Sequence, residues 1–427
     1  MQVPSRYQGK IPLVQPRGGR SNEFSQLTLW QALAKAGADV LPLTIDSKTR
    51  LGHLQDAEDS YKKSKTTITE TLNGFPLLSV PIEVACELVN SATKPVSLRH
   101  GTPYASNLVH RAIEVGIQEI EGGPLSYSLP YSRNSDLKRV VESWEKVESI
   151  CRSAEGQIVR ETFGILTACL VPPIQALLVN LLECLFIDAN KGGTPMASFG
   201  ATGSLYQDIA SIETFRSIYP WFQDLMGINP GRTLVAFHHW MGPFPLQKNR
   251  ALEIISTGNL IAKYTRSDKV VTKTSEEALG VPTNEANSES VELTKSMLLG
   301  AEQIIIDEQT QGFVEEEIRA LTDEIKLQLI SLKNSAQGIS EMLLKAVSAG
   351  LIDPPFAPHQ DCLKRLKSLR APDGSVRITP DYPGIFTSKF IAHETQFLGK
   401  NRAWNSLSAD EIKGDIIYPF QGEAQGI

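Results

Sequence analysis

A chain of 427 residues that is 41% hydrophobic and 21% charged can bury one large core or two ordinary ones. Its formal net charge of -6, with no block of lysine or arginine, argues against an electrostatic grip on nucleic acid or anionic lipid and points to a small ligand. Cysteines at 86, 151, 169, 184 and 362 have no CxxC or CxxxCxxC spacing, so neither a zinc site nor an iron–sulfur cluster is encoded locally, and they read as reduced, buried thiols. No signal peptide precedes MQVPSRYQGK, and the apolar stretch LTACLVPPIQALLVNLLECLFI is broken by Pro172, Pro173, Gln175 and Glu183. The expectation is a cytoplasmic protein without a membrane span.

In chain order, short apolar or β-branched runs recur as IPLVQP, ADVLPLTID, LNGFP, PVSLRHGTP, IQEIEGG, GQIVRETFG, TPMASFG, TLVAFHHWMGPFP and KVVTKT. Helical patterns of crossover length lie between most of them, among them SQLTLWQALAKAGA and IEVACELVNSA. Such alternation predicts a parallel sheet with helices outside it. Spread over this length, the strands suit an α/β fold of the (β/α)8 TIM-barrel type, which takes ~250 residues, with an open doubly wound sheet as the alternative. The count is one too many for eight, so one run is expected to be a loop or an excursion.

After Pro282 the pattern changes to long amphipathic helices, and VEEEIRALTDEIKLQLISLK places Val314, Ile318, Leu321, Ile325, Leu329 and Leu332 at helical spacing. Ordinary core packing is the commoner meaning of such a stripe. From DPPFAPHQ onward, proline and glycine punctuation predicts an irregular C-terminal segment wrapping the barrel. The expected division is a barrel over residues 1–345 and a segment packed on it over residues 346–427.

In a barrel of this type the C-terminal ends of the strands and the loops after them face the active site. Here those ends are polar: LVQPRGG reaches Arg17, LPLTIDSKTR runs through Thr44 and Asp46 to Arg50, VSLRHGTP carries Arg99, and IQEIEGGPLSYSLPY carries Glu121, Tyr127 and Tyr131. One arginine at a strand end is more often a salt-bridge partner of a nearby helix, but consecutive polar endings reinforce one another. Planar guanidinium groups bind carboxylates bidentately, so three around one cavity predict a dicarboxylate ligand. Glu121 in the same mouth would meet a cation, most simply an ammonium, which makes the ligand glutamate or a near relative. His238 and His239 in FHHWMG are adjacent on a strand and point to opposite faces, and with no carboxylate–histidine group beside them no metal site is expected. GATGSLYQD is glycine-rich but has neither GxGxxG nor GxxxxGK, which makes it a weak phosphate cradle.

QPRGG, LPLTIDSKTR, LNGFP, RHGTP, EGGPLSYSLPYS, RETFG with LVPP, FHHWMGPFP and VVTKTSEEALGVPT, in that order, closely resemble the epsilon chain of glutamate mutase, also called methylaspartate mutase. The resemblance covers about residue 10 to about residue 395. It implies the large catalytic subunit of an adenosylcobalamin-dependent radical mutase that interconverts L-glutamate and L-threo-3-methylaspartate. By the same resemblance Arg17, Arg50 and Arg99 grip the two carboxylates, Glu121 contacts the ammonium, and Tyr127 and Tyr131 line the substrate pocket. Gly19, Thr44, Asn73, Phe163 and Met241 match positions facing cobalamin or its adenosyl group, with glycine allowing close approach of the corrin. Lys273 and Glu277 match a pair that meets the adenosyl ribose, at an i, i+4 spacing that a helix would put on one face, and Val281 would line the adenosine pocket.

No DxHxxG occurs in the chain, whereas the family holds the lower face of cobalamin through that motif on a separate small flavodoxin-like subunit. The resemblance therefore implies dependence on such a partner, in a heterotetramer in which two copies of this chain are flanked by two small ones. Departures are a start close to the first strand, a shorter C-terminus, LGHLQDAED after Arg50, and His239 where glutamine is usual. They are compatible with altered assembly and with the same chemistry on a related amino diacid in a biosynthetic pathway. Two other readings stay open at this point: a barrel lyase or aldolase on a diacid, using Lys273 as a Schiff-base lysine or a divalent metal, and a non-catalytic scaffold.

Overall fold

The computed structural model describes residues 3–417 except 68, 166–169, 301–303, 382, 383, 400, 401 and 403, so Cys169 and the start of LTACLVPP lie outside the described residues. Eight short strands, β1 (Leu13–Pro16), β2 (Leu41–Thr44), β3 (Val96–Arg99), β4 (Glu119–Glu121), β5 (Val159–Glu161), β6 (Thr194–Gly200), β7 (Leu234–His238) and β8 (Lys269–Thr272), form one parallel sheet. Their order is β1-β8-β7-β6-β5-β4-β3-β2. The two ends of that order meet, because Val40 N donates to Val14 O at 3.3 Å and Thr44 N to Gly18 O at 3.1 Å. The sheet is thus a closed eight-stranded barrel. LNGFP is the surplus run: it forms no strand and touches the sheet only through an isolated bridge between Ile45 and Phe75.

Ten helices follow the strands or their excursions: α1 (Glu23–Lys35), α2 (Ser47–Arg50), α3 (Leu54–Ser64), α4 (Ile82–Asn90), α5 (Ser106–Glu114), α6 (Leu137–Ser153), α7 (Pro173–Asn190), α8 (Leu205–Leu225), α9 (Lys248–Tyr264) and α10 (Asn284–Gly300). α7 starts on Pro173 at its first turn, where a missing N–H costs nothing, and ends on Lys191 in the left-handed conformation. Among the described residues it is the one helix long and apolar enough to cross a membrane, but most of it is buried against β6 and α8.

The barrel interior departs from the usual filling of branched apolar side chains. Leu13, Val159, Met196, Leu234 and Ala236 pack together with Tyr7 at the N-terminal end, which fixes the inward parity of four strands. Two residues further along each strand, the same parity puts Gln15, Glu161, Ser198 and His238 inside, and Lys269 reaches Glu119 and Glu161 across the lumen. The core of the barrel is therefore charged, and a 3-10 turn, Ser5–Gln8, plugs its lower end through Tyr7.

Beyond the barrel come α11 (Glu308–Ser335) and α12 (Ile339–Ser348), a hairpin of β9 (Ser368–Arg370) and β10 (Val376–Ile378), α13 (Ser388–Gln396) and α14 (Ala409–Ile417). On α11, Val314, Leu321, Ile325, Leu329 and Leu332 are buried, so the stripe is core. The segment expected to be irregular is more ordered than its prolines implied. One reason is Arg377, fully buried between Glu317 at 2.7 Å and Glu394 at 2.9 Å, with Tyr206 Oη accepting from its Nη2 at 2.7 Å. That arginine ties the hairpin to α8, α11 and α13 at once.

Candidate active site

Strands β3 and β4 deliver their polar ends to one mouth. Arg99 closes β3 and Glu121 closes β4, and their side chains meet in the lumen with Arg99 Nη1 2.5 Å from Glu121 Oε2. Tyr127 donates its hydroxyl to Glu121 Oε1. Burial raises the Glu121 carboxyl to about 7, with Glu161 pushing the same way against Arg99, Tyr127 and Arg17. Arg17, just past β1, donates through Nη1 to Met241 Sδ at 3.3 Å. Arg50 is the last residue of α2, a single turn capped by Asp46, whose Oδ1 accepts from Lys48 N and Thr49 N. Part of the Tyr131 ring is exposed, but its hydroxyl is desolvated: burial lifts its pKa to about 12 while Arg17, Arg99 and Arg50 each pull against it. All three arginines therefore bear on the region of the Tyr131 hydroxyl.

Below this rim lies a ladder of charge that strand-end reasoning missed. Arg6 and Tyr7 both donate to Glu119 Oε1, at 3.0 and 2.8 Å. Lys269 Nζ lies 3.2 Å from Glu119 Oε2 and 2.6 Å from Glu161 Oε2. Ser198 Oγ donates to Glu161 Oε1 at 2.9 Å, and His238 Nε2 lies 2.9 Å from the same oxygen. Burial disfavours the Glu161 anion, but Lys269 and His238 outweigh it and hold that carboxyl well below the usual range. His239 points outward to Asn259 Oδ1 at 3.0 Å, so the histidines do face opposite ways. The expectation that no carboxylate–histidine group accompanies them is overturned, since Glu121, Glu161 and His238 gather inside the barrel. The alternation in EIE and VRE signals these residues only once the inward parity of each strand is known.

Around the charges stands an aromatic wall. Tyr127 meets His100 edge-on at 4.7 Å between centroids, Phe163 at 5.2 Å and Tyr131 at 5.6 Å. Gly122, at φ +113°, lets the chain turn after Glu121, and a Cβ there would lie 2.4 Å from the Tyr127 ring. Glu183 of α7 fixes that turn, accepting from Leu125 N and Ser126 N at 2.8 Å each.

The remaining predicted residues are distributed around the mouth. Lys273 Nζ and Glu277 Oε2 are 2.5 Å apart, though Glu277 opens a 3-10 turn rather than an α-helix. Burial and Arg17 lower Lys273 to about 8 despite Glu277. Thr44 ends β2, Met241 is half-buried after β7, and Val281 is exposed after β8. Asn73 Oδ1 accepts from Ser47 N at 2.9 Å and so steadies the turn that carries Arg50. Gly19 has a packing reason of its own: a Cβ there would lie 2.4 Å from Thr44 O and 2.9 Å from Gly74 Cα, where β1 and β2 close the barrel.

Residues 2–384 match the family model for the methylaspartate mutase E chain (MutE). The chain belongs to the methylaspartate mutase E chain family. It is 35% identical over 377 residues to the glutamate mutase epsilon subunit of Haloarcula marismortui, covering 86% of this chain and 75% of that one. It is 32% identical over 375 residues to the subunit of the same name from Halobacterium salinarum, covering 86% and 76%. Among solved structures, N-(5'-phosphoribosyl)anthranilate isomerase from Pyrococcus furiosus is 11% identical with a TM-score of 0.32, over 67% of this chain and 99% of that one. A methylaspartate mutase E chain is the catalytic subunit of an isomerase.

Proposed function

We propose that this chain interconverts L-glutamate and L-threo-3-methylaspartate by an adenosylcobalamin-dependent radical rearrangement, in complex with a separate cobalamin-binding subunit. The observation that carries the reading is the buried Arg99–Glu121 pair in an aromatic-walled mouth, beside a Tyr131 hydroxyl on which Arg17 and Arg50 also bear. Arg99 and its two companions hold the carboxylates, and Glu121 accepts from the ammonium. Tyr127, Phe163 and His100 exclude water from the reacting carbons.

The residues at the rim fit the cofactor. Leu51, Tyr104, Leu246, Leu279 and Val281, in loops after four different strands, expose an apolar surface suited to a flat macrocycle and the protein that carries it. Lys273 and Glu277 would meet its ribose, with Gly19, Thr44, Asn73, Phe163 and Met241 nearest the ring system. When bound, adenosylcobalamin would supply the hydrogen-abstracting radical. What this chain adds is orientation: fixed charges at both ends of the substrate keep its fragments in register until they rejoin. A cytoplasmic setting goes with this reading, and Cys86, Cys151, Cys184 and Cys362 are unpaired thiols.

The test is an anaerobic assay of the purified chain with adenosylcobalamin, L-glutamate and a cobalamin-binding small subunit, followed by NMR. Methylaspartate is expected only with all components present; its absence from a formed cobalamin complex refutes the glutamate assignment and leaves related amino diacids to be screened. One feature favours a lyase instead, the lowering of Lys273 to about 8, which suits imine formation. Borohydride trapping of a substrate adduct on Lys273 would establish that alternative.

The raised Glu121 pKa gives a pH prediction. Pairing with an ammonium needs the anion, so L-glutamate binding is expected to tighten as pH rises through about 7, and to weaken about tenfold per unit below it. The fold responds in the opposite sense: the stability this carboxyl contributes is fully present below 4.5 and is lost as pH rises through about 7. Titration calorimetry between pH 5 and 9 checks the binding limb, and Glu121→Gln should flatten it.

A further inference from the structure

We infer that Met241 is a positioning residue that holds Arg17 until a substrate carboxylate takes its place, and that a cavity lined by Met241 receives its side chain when this happens. This rests on the diacid reading above and adds how one arm of the carboxylate grip is kept ready. Arg17 Nη1 donates to Met241 Sδ at 3.3 Å. A thioether is a weak acceptor, whereas a carboxylate takes a guanidinium in a short, charge-assisted bond. A diacid arriving at Arg17 therefore displaces the sulfur, and the methionine side chain has to move elsewhere.

The fold provides a place for it. Met241 also lines a cavity of about 40 Å³ whose apolar walls include Leu170, Val171, Ala176, Phe199 and Ala201. A group the size of a water needs about 10–15 Å³ of such space, so the room suits the terminal sulfur and methyl of one methionine. An unbranched, polarisable side chain with three rotatable bonds is the kind that adapts to such a gap. The charged lining residues are engaged with other partners. Asp208 Oδ1 accepts from Thr202 N at 2.9 Å and from Thr202 Oγ1 at 2.7 Å, and Arg370 donates to Asp415 O at 3.1 Å and to Gly374 O at 2.6 Å. The backbone on both sides of Met241 is held, which leaves the side chain as the part that moves. Trp240 is buried and donates through Nε1 to Pro243 O at 2.9 Å, and a Cβ on Gly242 would lie 2.5 Å from the same ring. Met241 itself is only half-buried, in contact with Arg17 and with the cavity.

The experiment follows the 13C-labelled methionine methyl groups of the full chain by NMR during titration with L-glutamate and with glutarate, which has the same two carboxylates and no amine. Met241→Leu assigns the resonance by its loss. With either ligand the Met241 methyl is expected to shift and to gain cross-peak intensity to the Ala176 methyl. Ala176→Leu, which fills the cavity from α7, should weaken binding of both ligands about tenfold by titration calorimetry, the cost of one hydrogen bond to a charged group. In a Met241→Ala background, where the short side chain needs no room, the same filling should cost less than about twofold. A Met241 methyl that keeps its resonance and cross-peaks in a ligand-bound chain overturns the placeholder role and leaves the diacid reading intact, as does a filling cost that is the same with and without Met241. The methyl measurement uses the unmutated chain, so it decides between these outcomes even where Ala176→Leu fails to fold. A wild-type chain that binds neither ligand overturns the diacid reading and the placeholder role with it.

Discussion

Arg99→Lys is expected to lower kcat/KM for L-glutamate by about a hundredfold while leaving assembly with the cobalamin-binding subunit nearly unchanged. Arg99 is buried and already gives one arm to Glu121 at 2.5 Å, so the rest of its fork is what can reach a substrate carboxylate. Lysine can neutralise Glu121 as a point charge but cannot also offer a second, planar pair of donors. Its ammonium would settle on Glu121, competing with the substrate amine for the same oxygens. The KM for L-glutamate should rise, and the affinity for glutarate should fall in step, because the carboxylate contact is common to both. Sedimentation or pull-down with the small subunit measures the control. A loss of subunit association as large as the loss of activity would place Arg99 in the structural framework instead of the substrate grip.

How far the sequence foretold this site depends on which face of a short strand carries the information. The runs that end in Arg17, Arg99 and Glu121 were legible because polar residues interrupting an apolar run stand out, and because barrel strands end at the active site. Arg50 was reachable for the same reason, although it sits one helical turn beyond β2. Glu119, Glu161 and Lys269 were not legible. In VRE, Arg160 and Glu161 are adjacent charges in a three-residue strand, and nothing local says that one faces the helices and the other the lumen. Only the packing of Val159 against Tyr7 and Leu234 sets that parity. LNGFP read as a strand for a related reason: its Phe75 does bridge to Ile45, but the chain pairs there for a single residue. The hairpin of β9 and β10 was hidden by flanking prolines, and its order comes from Arg377, a tertiary contact with three helices.

The outward member of that VRE pair supports the second large effect: Glu148→Ala is expected to destabilise the fold by about 3–5 kcal/mol, because it strands a buried guanidinium. Arg160 and Glu148 are both fully buried, with Arg160 Nη2 2.7 Å from Glu148 Oε1 and its Nε 3.2 Å from both oxygens. The same guanidinium donates to Ile120 O at 2.7 Å and to Gly122 O at 3.1 Å, the carbonyls on either side of Glu121. The Trp144 ring lies 5.2 Å from its centre, and a Cβ on Gly192 would fall 1.8 Å from Glu148 Oε2, so neither partner has room to find another arrangement. Glu148→Gln, which keeps the shape and loses the charge, should cost less than the alanine. Both losses are read as the shift in denaturant midpoint at constant slope. Because the pair holds β4 from outside, the surviving folded Glu148→Gln protein should also bind L-glutamate less tightly, through the position of Glu121 rather than through any contact of its own. A Glu148→Ala cost below 1 kcal/mol would mean that water reaches Arg160 after all, and that the end of β4 is held by its strand neighbours alone.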